Sequence, residues 1–161
     1  DPADGRSGYA RYPERGGEYI LLAVSGQRSA VSGQRSAVKI CDMRGFRELR
    51  IWEKAHQIAL LTYKATHNFP SKERFGLTAQ MRRCAVSIPS DIAEGAGRRS
   101  DADFGRFLQI AFGSASELEY QTLLSRDLNL LMTPEADDLS ARLDEVKRML
   151  SALIKKLTAE S

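Results

Sequence analysis

QMRRCAVSIPSDIAEGAGRR, Gln80 to Arg99, is the stretch whose reading decides the fold. Just before and within it, Leu77, Met81, Cys84, Ala85, Ile88, Ile92 and Ala96 recur at spacings of three and four, which gives a helix one apolar face and one polar face. Pro89 lies inside the pattern. It removes one backbone donor and crowds the carbonyl one turn back, so the sequence predicts a bend over Val86 to Ser90 rather than an end, because the periodicity resumes beyond it. Gly95 and Gly97 are then expected to stop the helix. Arg98 and Arg99 follow where unpaired carbonyls favour positive charge, and Ser100 is placed to cap the next helix.

Helical patterns continue on both sides. Phe46 to about His67 reads as a first helix with Leu49, Trp52, Ala55, His56, Ala59, Leu60 and Tyr63 on its inner face. Asn68-Phe69-Pro70 ends it, and a second helix is expected from about Lys72, irregular at Phe75-Gly76, to Gly95. The third runs from Ser100 to about Leu130, with Asp101 and Asp103 in its first turn. Its Gly105, Gly113, Ser114, Ala115 and Ser116 predict close approach by a neighbouring helix, since a helical glycine costs roughly 1 kcal/mol relative to alanine. Thr133 is the expected cap and Pro134 the first residue of a fourth helix, whose Leu139, Leu143, Val146, Leu150, Leu153 and Leu157 form an a/d stripe. These four helices and their short connections predict an all-α, antiparallel up-down-up-down bundle over residues 43–161.

Residues 1–42 differ in kind. Glycine, serine and arginine dominate, and Ala23-Val24-Ser25-Gly26-Gln27-Arg28-Ser29 is followed at once by an identical heptapeptide, Ala30 to Ser36. No apolar period persists there, so a low-complexity, disordered leader is expected, with Met43 as the start of the functional chain. The longest apolar run, Ile20 to Val24, is too short to span a membrane and lacks the shape of a signal peptide. Cys41 and Cys84 make no disulfide framework, and a reducing cytoplasm is the expected compartment.

The string Gln80-x-Arg82-Arg83-x-Ala85-x-Ser87-Ile88-Pro89-x-x-Ile92-Ala93-Glu94-Gly95 resembles the signature of the bacterial four-helix bundle proteins first named for intervening sequences in 23S ribosomal RNA genes. The resemblance extends from Phe46-x-x-Leu49-x-x-Trp52-x-x-Ala55 through Phe69-Pro70-x-x-Glu73 and Gly76-Leu77-x-x-Gln80 to Ala111-x-Gly113-Ser114-x-x-Glu117-Leu118. Asp91 stands where that family usually has Asn, and Cys84 where it usually has Ala. The resemblance implies a ring-like homopentamer. Relatives include the accessory proteins of diversity-generating retroelements, which bind a reverse transcriptase and nucleic acid through a basic surface.

The whole chain carries a net charge of only +3, but the charge is uneven. Met43 to Arg99 holds 11 Lys and Arg against 5 Asp and Glu, about +6, whereas Ser100 to Ser161 holds 7 against 11, about −4. That asymmetry suits either nucleic-acid phosphates or complementary contact between subunits. The candidate phosphate contacts are Arg47, Arg50 and Lys54 on the first helix, Arg74, Arg82 and Arg83 on the second, and Arg98, Arg99 and Arg106 around the following turn. No aromatic residues are read as interleaving them, so stacking on single strands is not expected.

Convergent catalytic groups are scarce, and no enzyme, cofactor or metal is expected. Glu53 and His56 have the Glu-x-x-His spacing of carboxylate-bridged metal bundles, yet the second pair such a site needs is missing. His56 reads more simply as a residue at the core edge, and His67 as one that favours a helix terminus. Glu94, Glu117 and Glu119 sit among small or apolar residues and require partners, with Arg82 and Arg83 as candidates. Ser87, Ser90, Ser114 and Ser116 have no nearby His-acid relay. Two function classes therefore stand: an oligomeric RNA- or DNA-binding adaptor, and a homo-oligomeric protein-interaction scaffold such as a reverse-transcriptase accessory subunit. No membrane partner is expected.

Overall fold

The computed structural model describes residues 45–159, and the expectations for the leader lie outside them. A 3-10 turn, Phe46–Glu48, leads into α1 (Arg50–Ala65). Two further 3-10 turns, Thr66–Asn68 and Ser71–Glu73, connect α1 to α2 (Leu77–Ala96), which is followed by α3 (Asp101–Asp127) and α4 (Thr133–Ala159). No strand occurs among the described residues.

Side-chain pairs give the helix directions. Gly95 meets Phe104, Ser87 bonds Ser114, and Met81 bonds Ser125, so α2 and α3 run antiparallel. Glu119 pairs with Lys147 while Gly105 lies against Leu157, so α3 and α4 do too. Thr66 touches Arg82 near the start of α2, and the Phe46–Glu48 turn also packs on α2. That turn lies about 30 Å along the chain axis from Thr66, at 1.5 Å per residue. It therefore meets α2 at its far end, and α1 runs opposite to α2.

The core is one apolar seam. Ile51, Ala55 and Ile58 face Met81, Ala85, Ile88 and Ile92, and Phe104, Leu108, Ala111, Ala115 and Leu118 meet the leucine stripe of α4. On α1 the inner face is rotated from the predicted one: Ile51, Ile58 and Thr62 are buried, whereas Leu60 and Tyr63 are 45% and 46% exposed. The burial of a threonine stripe explains the shift. Thr62 Oγ1 donates to the Ile58 carbonyl at 2.9 Å and Thr66 Oγ1 to the Thr62 carbonyl at 2.8 Å, so both hydroxyls are satisfied within the helix and can go inside.

α2 continues unbroken through the buried Pro89. Gly95 does not stop it. The helix closes one residue later, with Gly97 N–H donating to the Ala93 and Glu94 carbonyls at an ordinary φ of −83°. Gly95 instead permits contact: a Cβ there would lie 2.8 Å from both Phe104 Cδ2 and Phe107 Cβ. The close approach predicted on α3 is an ordinary contact at Gly105 and is missing at Gly113, which is exposed with nothing within 4 Å. Ser100 caps α3 as predicted, its Oγ accepting from Asp103 N–H at 3.1 Å.

α3 ends at Asp127 rather than Leu130. Asn129 adopts φ 56°, and Leu130 N–H reaches back to the Ser125 carbonyl while Asn129 N–H reaches that of Arg126. This left-handed closure is one that asparagine tolerates better than most residues. At the start of α4 the first main-chain bond runs from Ala136 N–H to the Met132 carbonyl, so Thr133 is the first helical residue and Pro134 the second.

Candidate nucleic-acid interface

The fold brings five of the nine predicted basic residues to one end of the bundle. Arg47 and Arg50 stand at the start of α1, beside the end where α2 turns into α3 and presents Arg98, Arg99 and Arg106. All five are exposed. Arg98 pairs with Glu94 one helical turn back and lies over the Phe107 ring at 4.8 Å. Arg47 sits 5.2 Å from the centre of the Phe46 ring. Arg50, Arg99 and Arg106 form no ion pair among the described residues. Their charge is available to an anionic ligand.

The other four are placed differently. Lys54, half-buried, holds α1 to α4 through Glu145 at 2.8 Å. Arg83 joins α2 to α3 through Glu117 at 2.9 Å and also donates to Gln80 Oε1. Arg82 turns inward at the opposite end: Nε donates to Thr66 Oγ1 at 2.9 Å, Nη2 to the Thr66 carbonyl at 3.4 Å, and the guanidinium covers the Tyr63 ring at 4.8 Å. A positive charge on the last carbonyls of α1 complements the negative end of its dipole. Arg74, also at that end, lies over Phe75 at 5.4 Å.

Aromatic rings therefore do accompany the arginines, against the sequence reading. Phe46, Phe75, Tyr63 and Phe107 each underlie one of them. Two of these pairs, Phe46-Arg47 and Arg74-Phe75, are adjacent in the chain and were visible there. The other two form only through helix geometry and packing.

The glutamates find partners as required, in an arrangement spacing alone did not fix. Glu117 takes Arg83, Glu119 takes Lys147 at 2.6 Å, and Glu94 takes Arg98 rather than Arg82. His56 stacks on Trp52 with ring centres 5.2 Å apart and planes 5° apart, and Phe46 meets Trp52 edge-on at 4.9 Å. No group of three or more His, Cys, Asp or Glu that could hold a metal ion occurs among the described residues. Ser114 Oγ donates to Ser87 Oγ at 3.1 Å, and Ser87 Oγ to Asp91 Oδ2 at 2.8 Å. This chain stitches α2 to α3, and neither His56 nor His67 joins it. Burial raises the Asp91 pKa above the ordinary carboxylate value, against the lowering effect of the Ser87 hydroxyl. Cys84 is buried against α3, and burial first, then its contact with Glu117, pushes its thiol up to about 11. At neutral pH it is a small apolar filler.

The four helices and their packing define a four-helix bundle protein. The chain belongs to the 23S rRNA-intervening sequence protein family, whose model matches residues 47–152. A solved structure from Bacteroides thetaiotaomicron VPI-5482, described as a protein with unknown function from the S23 ribosomal protein family, is similar with a TM-score of 0.60 and 26% identity. The match covers 65% of this chain and 98% of that one. A comparison with curated proteins finds no match. No described helix is long and apolar enough to cross a membrane.

Proposed function

We propose that the protein is a non-enzymatic oligomeric adaptor that binds RNA or DNA through the bundle end formed by Arg47, Arg50, Arg99 and Arg106. The supporting observation is that three of these, Arg50, Arg99 and Arg106, are exposed at one end without an ion pair among the described residues, while Lys54, Arg82 and Arg83 are engaged in holding helices together. Phosphate contacts of this kind give affinity that falls with salt as counterions are released. The test is fluorescence anisotropy of a labelled RNA and its DNA counterpart across a salt series. Arg99→Glu with Arg106→Glu should weaken binding at least about tenfold at roughly 50 mM salt and lower the magnitude of the log-log salt slope by about 1.4 to 1.8. Lack of wild-type binding at low salt, or an unchanged slope in the variant, would reject the reading.

A second reading, a homo-oligomeric scaffold or reverse-transcriptase accessory subunit, draws support from the opposite end. Phe75 and Met132 are 87% and 71% exposed there, with Leu128 and Tyr63 beside the same helix ends. Apolar side chains gathered at one place on a surface mark contact with other proteins. By family resemblance the assembly is a pentamer. Light scattering tests it: a concentration-independent pentamer with no nucleic-acid binding would favour the scaffold over the adaptor.

A further inference from the structure

The bundle end far from Arg99 and Arg106 carries its free charge in two halves. Where α1 leads into α2, Lys64, Lys72 and Arg74 are exposed and form no ion pair among the described residues. Glu73, the acid of that connection, is spent on the start of α2, its Oε2 accepting from Leu77 N–H at 3.3 Å. Where α3 leads into α4 the excess is negative. Asp127 and Asp138 are matched by Arg126 and Arg142, whereas Glu135 and Asp137 are exposed and form no ion pair among the described residues. Each half also carries one bare apolar side chain. Phe75 in the first and Met132 in the second are the two most exposed large apolar residues among those described. Arg74 lies against the Phe75 ring at 5.4 Å, so a contact that takes the ring takes the cation with it. Within one chain the two halves make no ion pair with each other, and their charges are left for something outside it.

We propose that this end docks on the same end of a second copy of the chain. A two-fold axis through the end sets Lys72, Arg74 and Phe75 of one copy against Glu135, Asp137 and Met132 of the other, and the same contact recurs with the copies exchanged. An isologous contact needs both complementary halves on one surface, which is where this fold puts them; a head-to-tail contact needs them on different faces. The two phenylalanines alone withdraw about 300 to 500 Å² from water, a third or more of the roughly 1,000 Å² that a specific interface buries. The opposed charges fix which half meets which and penalise the rotated alternative. The pairing gives an occupant to the exposed end on which the scaffold reading rests. It leaves the arginines of the other end facing outward at both poles of the pair, so it stands or falls separately from nucleic-acid binding.

Sedimentation velocity of the full chain over a dilution series, at roughly 50 mM and about 500 mM salt, reads the mass directly. The expected mass is an even number of copies that halves on dilution, with the midpoint moved to higher concentration by salt. Phe75→Ser, at an exposed position that the bundle core does not use, should weaken pairing at least about tenfold. Lys72→Glu with Arg74→Glu in one chain, and Glu135→Lys with Asp137→Lys in another, should each remain at half mass where the wild type pairs. An equimolar mixture of the two should regain the full mass, because reversed charges on one copy then meet reversed charges on the other. A mixture that stays at half mass, or a Phe75→Ser chain that pairs as tightly as wild type, overturns the proposal. A wild-type mass that is an odd multiple of the chain and never doubles overturns the pairing and leaves the scaffold reading standing, whereas a single copy at every concentration removes both.

Discussion

Alanine at Gly95 and alanine at Gly113 should move stability in opposite directions, although both glycines lie inside helices. Replacing a helical glycine with alanine gains up to about 1 kcal/mol through the narrower unfolded ensemble. At Gly113 nothing lies within 4 Å of the added Cβ, so that gain should appear nearly whole, about 0.5 to 1 kcal/mol. At Gly95 the Cβ would stand 2.8 Å from Phe104 Cδ2 and from Phe107 Cβ. The Phe104 ring is 1% exposed and enclosed by the core, and Phe107 Cβ is fixed to its own backbone, so relief requires moving α3. Overpacking of this kind costs about 1 to 3 kcal/mol. With two close contacts, one of them tied to main chain, the upper half of that range applies, and the net effect is a loss of about 1 to 2 kcal/mol after the helix gain. The assay is urea denaturation followed by helical circular dichroism, at one protein concentration because assembly shifts apparent stability. The reasoning fails if Gly95→Ala is stabilising by the same increment as Gly113→Ala, since that would mean α2 and α3 are not in contact there.

Two further predictions concern titratable groups at the α2–α3 interface. Burial raises the Asp91 pKa above its unfolded value, so the folded state binds the proton more tightly and the contribution of Asp91 is most favourable at low pH and is lost as pH rises through the folded pKa. Asp91→Asn should therefore gain stability relative to wild type across that acidic window as pH rises, and a pH-independent difference in urea midpoint would count against the buried carboxylate. Cys84, with its thiol pushed up to about 11 and 1% exposed, should resist a thiol reagent in a Cys41→Ser background until denaturant is added; rapid stoichiometric labelling of the native protein would show that the α2–α3 seam opens.

Much of this molecule is written in local pattern. The three-and-four spacing of Met81, Ala85, Ile88 and Ile92, the leucine stripe of α4 and the Ser100 cap each depend on residues within a turn or two of one another, and each appears where the sequence places it. Backbone geometry alone converts such spacing into a face, so helix number, order and the core side of α2 and α4 needed nothing else. Tertiary structure decided what spacing cannot carry. Whether Gly95 ends a helix or admits a phenylalanine depends on what stands opposite it, and whether Arg82 or Arg99 is available depends on a partner distant in sequence. Periodicity states which residues share a helix face, and only the neighbouring helix determines which of their charges remain unspent.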